Sequence, residues 1–463
     1  MPVRINRMRS RLADLFDISH LSITENGTRI SVFSLAFPSL LQQILLTLIG
    51  TVNTYIISDY AENAVGAISA STQLITLVSA IASMITLGSG ILINIELGRG
   101  ERERASRLAG TALIFTVIEA IAISLILTFL ARPLLSLMRL SGDTLEYGVS
   151  YLSVYGGAIG LNITASYLTN LLLCHGKTLY TMIKSIISSV IGVALGYLFL
   201  IVDLIPAISG ITALATGGVV SMAFDLVSTA ILTRALKIPL KVNFSPCSAL
   251  RMISIGAPAS MSGISYMLAQ TITTSFMARM NDNALNAKSL IGSIVQYTYF
   301  ISYALSTGVR IMMGRYAGQG DVRSMKRLAR SATLIAALSN TVFSVGVFIA
   351  CKPLISVFTD TEAILVMAPI IFAIDIAVEL LRGINHVLES SLIATRRVIT
   401  TFVSSVVSCW CGSVLLSYLL GTVAGMGLVG VWIAFATDEL IKATVYIITW
   451  ARGSWQKVLK SNN

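Results

Sequence analysis

Displaced by about 220 residues, the chain falls on itself without a gap. Pro38 meets Pro258, Glu62-Asn63-Ala64 meets Asp282-Asn283-Ala284, and Gly88 meets Gly308. Further on, Gly98-Arg99-Gly100-Glu101 meets Gly318-Gln319-Gly320-Asp321, Arg107-Leu108-Ala109 meets Arg327-Leu328-Ala329, Pro133-Leu134 meets Pro353-Leu354, and Gly192 meets Gly412. Chance does not hold one register over that distance, so the chain is two copies of one unit. Whatever one half folds into, the other half must fold into as well.

The halves are apolar. The 463 residues are 55% hydrophobic and 12% charged, with a mean hydropathy of +0.81. A soluble domain has about 25% charged residues, so the composition is that of a polytopic membrane protein. Twelve hydrophobic spans are expected, at roughly 31–57, 64–95, 105–130, 148–173, 180–202, 208–233, 253–277, 285–313, 331–351, 364–394, 398–420 and 426–450. Several exceed bilayer thickness, so tilting, kinking or projection is expected. Six spans per copy is an even number, which gives both copies the same polarity in the membrane. The expected fold is therefore all-α, with twelve transmembrane helices in two six-helix lobes related by a parallel repeat about the membrane normal.

The organisation that follows is a segment 1–27, an N-lobe 28–235, a linker 236–250, a C-lobe 251–452 and a tail 453–463. Pro239 and Pro246 punctuate the linker, which also holds Lys237 and Lys241. Residues 1–27 suit an amphipathic helix on the cytoplasmic surface, its Leu12, Leu15, Phe16 and Ile18 toward lipid, although a solvated leader fits equally. No cleavable signal peptide is visible, and the first span is expected to act as an uncleaved anchor. Basic residues gather after spans 2, 4, 6, 8, 10 and 12, among them Arg99, Lys177, Lys184, Arg234, Arg323, Arg396 and Arg452. The other loops hold Asp59, Glu62, Asp143, Asp203, Asp282 and Asp360. Both termini should then be cytoplasmic, in a protein integral to the plasma membrane.

The net charge of +11 is split among these loops and forms no continuous face, which argues against nucleic acid as a partner. The partners expected are small organic substrates and the bilayer, and the chain is expected to be a monomer. The five cysteines have neither a disulfide framework nor metal-ligand spacing, so no metal site and no cofactor are implied.

One span breaks the apolar pattern. Between Ile364 and Ala394 stand Asp375, Glu379, Arg382, His386 and Glu389, spaced by four, three, four and three. That spacing keeps them on one stripe of a helix. A charge at mid-bilayer costs from about 3 kcal/mol upward, so the stripe must face a bundle interior or an aqueous cavity. A structural Glu379–Arg382 ion pair is the plainer reading, but it leaves Asp375 on the same stripe unexplained.

These motifs, taken together, resemble the multidrug and toxin extrusion (MATE) family of secondary antiporters. The resemblance covers nearly the whole chain. It rests on Ala36-Phe37-Pro38-Ser39-Leu40-Leu41-Gln42-Gln43, Glu62-Asn63-Ala64-Val65-Gly66-Ala67, Glu96-Leu97-Gly98-Arg99-Gly100, Ala105-Ser106-Arg107, His175-Gly176-Lys177-Thr178 and the second-half echoes. It implies two six-helix lobes around a V-shaped cleft and export of amphiphilic, often cationic compounds in exchange for protons or sodium. Many members of the family carry an Asp in a Val-Asp-Thr context in the first helix, where this chain has Val52-Asn53-Thr54. Their fifth helix often carries an Asn and an Asp, where Gly192 and Gly196 stand here, and another branch has a Glu where Tyr266 stands. These departures remove the usual carboxylates of the first lobe.

Asp375, Glu379 and Arg382 are then the candidates for ion coupling. Two carboxylates four apart can share a proton while the guanidinium balances the remaining charge. Sodium is the rival coupling ion, since Asp375 with neighbouring oxygens could ligate it. For substrate, Tyr266, Gln270, Gln296, Tyr297 and Tyr303 offer planar and amide faces suited to organic cations, with Tyr299 beside them and Lys288 above. Membrane-interface or packing roles are the competing reading for these tyrosines. Asn53 could hydrogen-bond substrate in the first lobe, and Glu119 and Asp225 are isolated carboxylates. The leading function is a proton- or sodium-driven exporter of amphiphilic compounds by alternating access. The alternative is a lipid-linked saccharide or lipid flippase of the same superfamily. An intramembrane enzyme has too few groups to draw on, with His386 and Glu389 the only neighbouring His and acid.

Overall fold

The computed structural model describes residues 21–25, 28–60, 62–138, 140–201, 211–280, 282–359 and 361–456. Of these, 24–25, 28–29, 53–60, 62–65, 200–201, 211 and 282–283 are described by their backbone. Nearly all of it is helix. In the first half stand α1 (Val32–Tyr60), α2 (Glu62–Gly98), α3 (Arg102–Phe129), the short α4 (Ala131–Leu137), α5 (Gly142–Tyr151), α6 (Ile159–Cys174), α7 (Thr178–Ile201) and α8 (Ile211–Ala235). In the second stand α9 (Pro246–Met280), α10 (Asp282–Gln319), α11 (Val322–Ile349), the short α12 (Cys351–Ser356), α13 (Glu362–Ala394), α14 (Val398–Val407) and α15 (Gly427–Ala451). A π-helical turn, Leu152–Gly156, carries α5 toward α6, and two more, Ser408–Leu415 and Ser417–Val423, extend α14.

The repeat seen in the sequence is the repeat of the helices. Glu62 and Asp282, Arg102 and Val322, Ala131 and Cys351, Gly142 and Glu362, and Thr178 and Val398 open equivalent helices in the same register. Among the described residues, eight helices are long and apolar enough to cross a membrane, and nine if α5 and α6, bent by 44°, are one span. The remaining long helices, α9, α10 and α15, join α13 in carrying the polar residues that line the carboxy-terminal unit's cavity described below.

Among the described residues the one β-sheet is a hairpin, Ser22–Glu25 paired antiparallel with Thr28–Ser31. The amphipathic helix expected over 1–27 therefore does not extend through 22–25. Residues 1–20, which would form most of it, lie outside the described residues.

The chain forms two compact units, 41–264 and 1–40 with 265–463. Each boundary falls inside a helix, in α1 just past Pro38 and in α9 just past Pro258. Each unit thus takes the first turns of the other half's leading helix into its own packing. In the amino-terminal unit a Cβ on Gly88 of α2 would lie 1.9 Å from the Met252 carbonyl oxygen of α9, and one on Gly256 would lie 1.8 Å from that of Met84. In the carboxy-terminal unit a Cβ on Gly308 of α10 would lie 2.8 Å from the Val32 carbonyl of α1. Gly88 and Gly308 are partners in the repeat, as are Met252 and Val32. The echo of glycines in the sequence is therefore a repeated backbone contact, which small residues permit.

Candidate functional site

Each unit holds a polar cavity. In the carboxy-terminal unit it is about 240 Å³ and is walled by α9, α10, α13 and α15. Asp375 and Arg382 come from α13, Asp438 and Glu439 from α15, Tyr266 and Gln270 from α9, and Lys288, Gln296 and Tyr299 from α10.

The charged groups form one network. Arg382 reaches two carboxylates, Glu379 one turn back on its own helix and Glu439 across on α15, where Nε meets Oε1 at 3.4 Å. Its guanidinium carbon sits 5.2 Å from the centre of the Tyr299 ring, within range of a cation–π contact. Asn385 donates to the Glu439 carboxylate at 2.7 Å. Lys442 donates to Asp438 at 2.9 Å, lies 4.0 Å from Glu439, and stands 5.9 Å from the Tyr266 ring centre. Behind Arg382, Glu379 is fully buried and accepts from Asn340 Nδ2 at 3.1 Å. Asn340 also donates to Ser302 Oγ at 3.1 Å, and Ser302 pairs with His386 Nδ1 at 2.9 Å. At the cavity wall Asp375, only 2% exposed, accepts from the Trp432 indole at 3.2 Å.

Of the stripe expected on α13, Asp375, Glu379, Arg382 and His386 are thus brought together around one cluster. Asp375 and Arg382 meet the cavity, whereas Glu379 stands behind the guanidinium. Tyr266, Gln270 and Gln296 line the same wall. Tyr297 and Tyr303 are not brought into it. Tyr297 packs edge-on against Phe300, and Tyr303 is half exposed with its ring against His386. Asn53 lies outside the residues whose side chains are described. Lys288 lines the cavity and donates to Thr274 Oγ1.

Asp438, Glu439 and Lys442 were not singled out from the sequence, although they interrupt an apolar span as the α13 stripe does. Spacings of one and three residues put Glu439 and Lys442 on one face, with Asp438 a full turn before Lys442.

The amino-terminal unit's cavity, about 540 Å³, holds the second surprise. Lys184, grouped from the sequence with the cytoplasmic loop after span 4, is 5% exposed within α7. Its ammonium donates to both oxygens of Asp225 on α8 at 2.9 Å. Below the pair, Ser188 and Ser221 each donate to the other's carbonyl, at 2.8 and 2.7 Å. A Cβ on Gly217 would lie 2.5 Å from the backbone nitrogen of Gly196. Gly192 and Gly196, which replace side chains of the resembled family, are thus the small residues that let α7 and α8 touch.

The two cavities occupy equivalent places in the repeat. Leu46 and Tyr266, Gly50 and Gln270, Tyr155 and Asp375, and Asn162 and Arg382 are matched positions that line one cavity and the other.

The family profile described as MatE matches residues 38–198 and 258–419. An uncharacterized transporter of Bacillus subtilis strain 168, YisQ, is 27% identical over 92% of this chain and 94% of its own length. A probable multidrug resistance protein of Thermotoga maritima, NorM, is 19% identical over 93% of each. Among solved structures, the MATE transporter VcmN of Vibrio cholerae in its bent form matches with a TM-score of 0.82 at 18% identity, over 93% of this chain and 97% of that one. At that identity the likeness shows a shared fold.

Proposed function

The chain belongs to the MatE family, whose members are membrane transporters and not enzymes, and on that premise we propose that it is a secondary antiporter. It exports amphiphilic organic compounds bearing a positive group in exchange for protons or sodium, by alternating access. The observation that carries this reading is the charge balance of the carboxy-terminal cluster. The lining of the cavity carries three carboxylates, Asp375, Asp438 and Glu439, against two cations, Lys288 and Arg382, and behind them Glu379 and Lys442 offset each other. The excess of one negative charge in a low-dielectric setting calls for one bound cation. A coupling ion fills that need, and so does the positive group of an exported compound. Two occupants that answer the same single charge exclude one another, which is the logic of exchange. At about 240 Å³ the cavity lies below the range of pockets that enclose a drug-sized ligand, so it takes the ion or the charged head of the substrate.

In this scheme Asp375 meets the entering ion, Arg382 redistributes between Glu379 and Glu439, and Asn340 with Asn385 keeps both carboxylates hydrogen-bonded while it does so. Tyr266, Gln270 and Gln296 receive the organic head. The gathering of basic residues in alternate loops supports an orientation with both termini in the cytoplasm. The test is accumulation of an organic cation in everted vesicles under an imposed pH or sodium gradient. Wild type should accumulate it, while Glu379→Gln and Asp375→Asn should lose gradient dependence. Full gradient-driven transport by both variants would refute the assignment.

A further inference from the structure

The amino-terminal cavity poses a different electrostatic problem. Its described lining carries two charged side chains, Lys184 and Asp225, and they cancel. Around them the wall is rich in uncharged hydrogen-bonding groups, including Gln42, Asn162, Ser166, Thr169, Ser185 and Ser189. At about 540 Å³ the space is within the range of pockets that enclose small ligands.

Desolvating both members of a buried ion pair commonly costs as much as their attraction returns, so holding two helices together is by itself a weak reason to keep Lys184 and Asp225. Here both partners border open cavity. Moreover, α7 and α8 are already fastened without the pair by the reciprocal Ser188–Ser221 bonds and the Gly217 contact. Lys184 directs its described hydrogen bonds to the two oxygens of Asp225, so the third N–H of the ammonium remains for another acceptor.

We propose that this cavity binds a zwitterionic amphiphile of amino-acid-like chemistry, its carboxylate received by Lys184 and its ammonium by Asp225. A ligand with one net charge would place that charge beside a like one and leave the cavity unbalanced. A zwitterion instead inserts into the pair, alternates its charges with those of the protein, and keeps the total at zero. The amide and hydroxyl wall takes the remaining polar atoms, and Tyr151, Tyr155 and Leu46 offer an apolar side to the rest of the molecule. The inference rests on the exporter reading only in taking the ligand to be a compound the protein moves. Its test is binding, which needs no gradient and so fails or succeeds separately from the coupling assay.

Phenylalanine, phenylalaninamide and N-acetylphenylalanine present the same ring as zwitterion, cation and anion. Titrated calorimetrically into the purified full-length protein at slightly acidic pH, phenylalanine should bind at least about tenfold more tightly than either singly charged analogue. Lys184→Met should move the preference to the amide and Asp225→Asn to the N-acetyl compound, gains that a misfolded protein cannot show. No binding of phenylalanine, equal binding of the three, or an unchanged preference in both variants would overturn the proposal. If neither charge variant purifies as a monodisperse species, Asn162→Leu decides. It leaves the ion pair in place, fills the cavity and should weaken phenylalanine binding at least about fivefold, so unchanged binding overturns the proposal.

Discussion

Gly88→Ala and Gly308→Ala are the same substitution at matched positions of a duplicated structure, yet they should differ. At Gly88 the added methyl would stand 1.9 Å from the Met252 carbonyl oxygen, and ordinary contact begins at 3.4 Å. The backbones of α2 and α9 would therefore have to separate by about 1.5 Å at that crossing. The seam cannot yield from its other side, because Gly256 is held as tightly against Met84. At Gly308 the distance is 2.8 Å, and a shift of about 0.6 Å suffices. In that seam the position matching Gly256 is already Ala36, so the contact is built around one methyl. Overpacking costs about 1–3 kcal/mol, and replacing Gly by Ala inside a helix returns about 1 kcal/mol. Gly88→Ala should then lose about 2 kcal/mol or more, and Gly308→Ala about 1 kcal/mol or less. Thermal melting of the detergent-purified variants, followed by size-exclusion of the soluble fraction, reads the difference. Equal melting temperatures, or a larger drop for Gly308→Ala, would refute the reasoning that the first seam is closed backbone to backbone.

Two further outcomes follow from the charged groups. Glu439→Gln should cost less than the 3–5 kcal/mol typical of orphaning a buried charge, about 1.5–3 kcal/mol, because Arg382 keeps Glu379 and Lys442 keeps Asp438; a melt showing complete loss of folded protein would contradict this. Asp321 caps α11, accepting from the Ser324 backbone at 3.0 Å and from its hydroxyl, and the hydroxyl bond is the main cause holding its carboxyl below the usual range. A depressed folded value means the contribution is present above the unfolded Asp value of about 3.9 and is lost as pH falls through the folded one. Asp321→Ala should therefore melt lower at neutral pH, by the equivalent of about 1 kcal/mol, and converge with wild type in acid. A gap that persists unchanged at low pH would show the cap is not the cause.

Much of this was legible in the sequence, since hydropathy and self-similarity are local or strictly periodic signals. The register of the repeat carries over to the helix starts, and the polar stripe on α13, from Asp375 to His386, folds around one cluster as its spacing implies. The hairpin also had a signal, Asn26-Gly27 between Ile23 and Ile30, the pairing favoured by two-residue turns. It is outweighed when the whole segment is read for helical amphipathicity. Other features lie beyond single-helix reasoning. Lys184 and Asp225 are 41 residues apart, and only the crossing of α7 and α8 makes them partners. A lysine near the start of a span looks like a loop residue until the loop's true end, at Lys177, is known. Tyr297 and Tyr303 show the converse, because a periodic stripe of tyrosines says which residues share a face and not which neighbour that face meets.

Duplication explains why the two cavities share lining positions and why they differ. At matched glycines of α7 and π-extended α14, a Cβ on Gly192 would meet Ser221 of α8, and one on Gly412 would meet Asp438 of α15. The backbone thus brings α8 and α15, the last helices of the two halves, against matched glycines, and the side chain presented there is a neutral hydroxyl in one half and a carboxylate in the other. Tyr155 and Asn162 in the first half stand where Asp375 and Arg382 stand in the second. The scaffold fixes where polar groups converge, while substitution sets the net charge there, balanced in one cavity and negative by one in the other. The excess of negative charge is concentrated in the second unit, where α15 adds Asp438 and Glu439 to the stripe on α13.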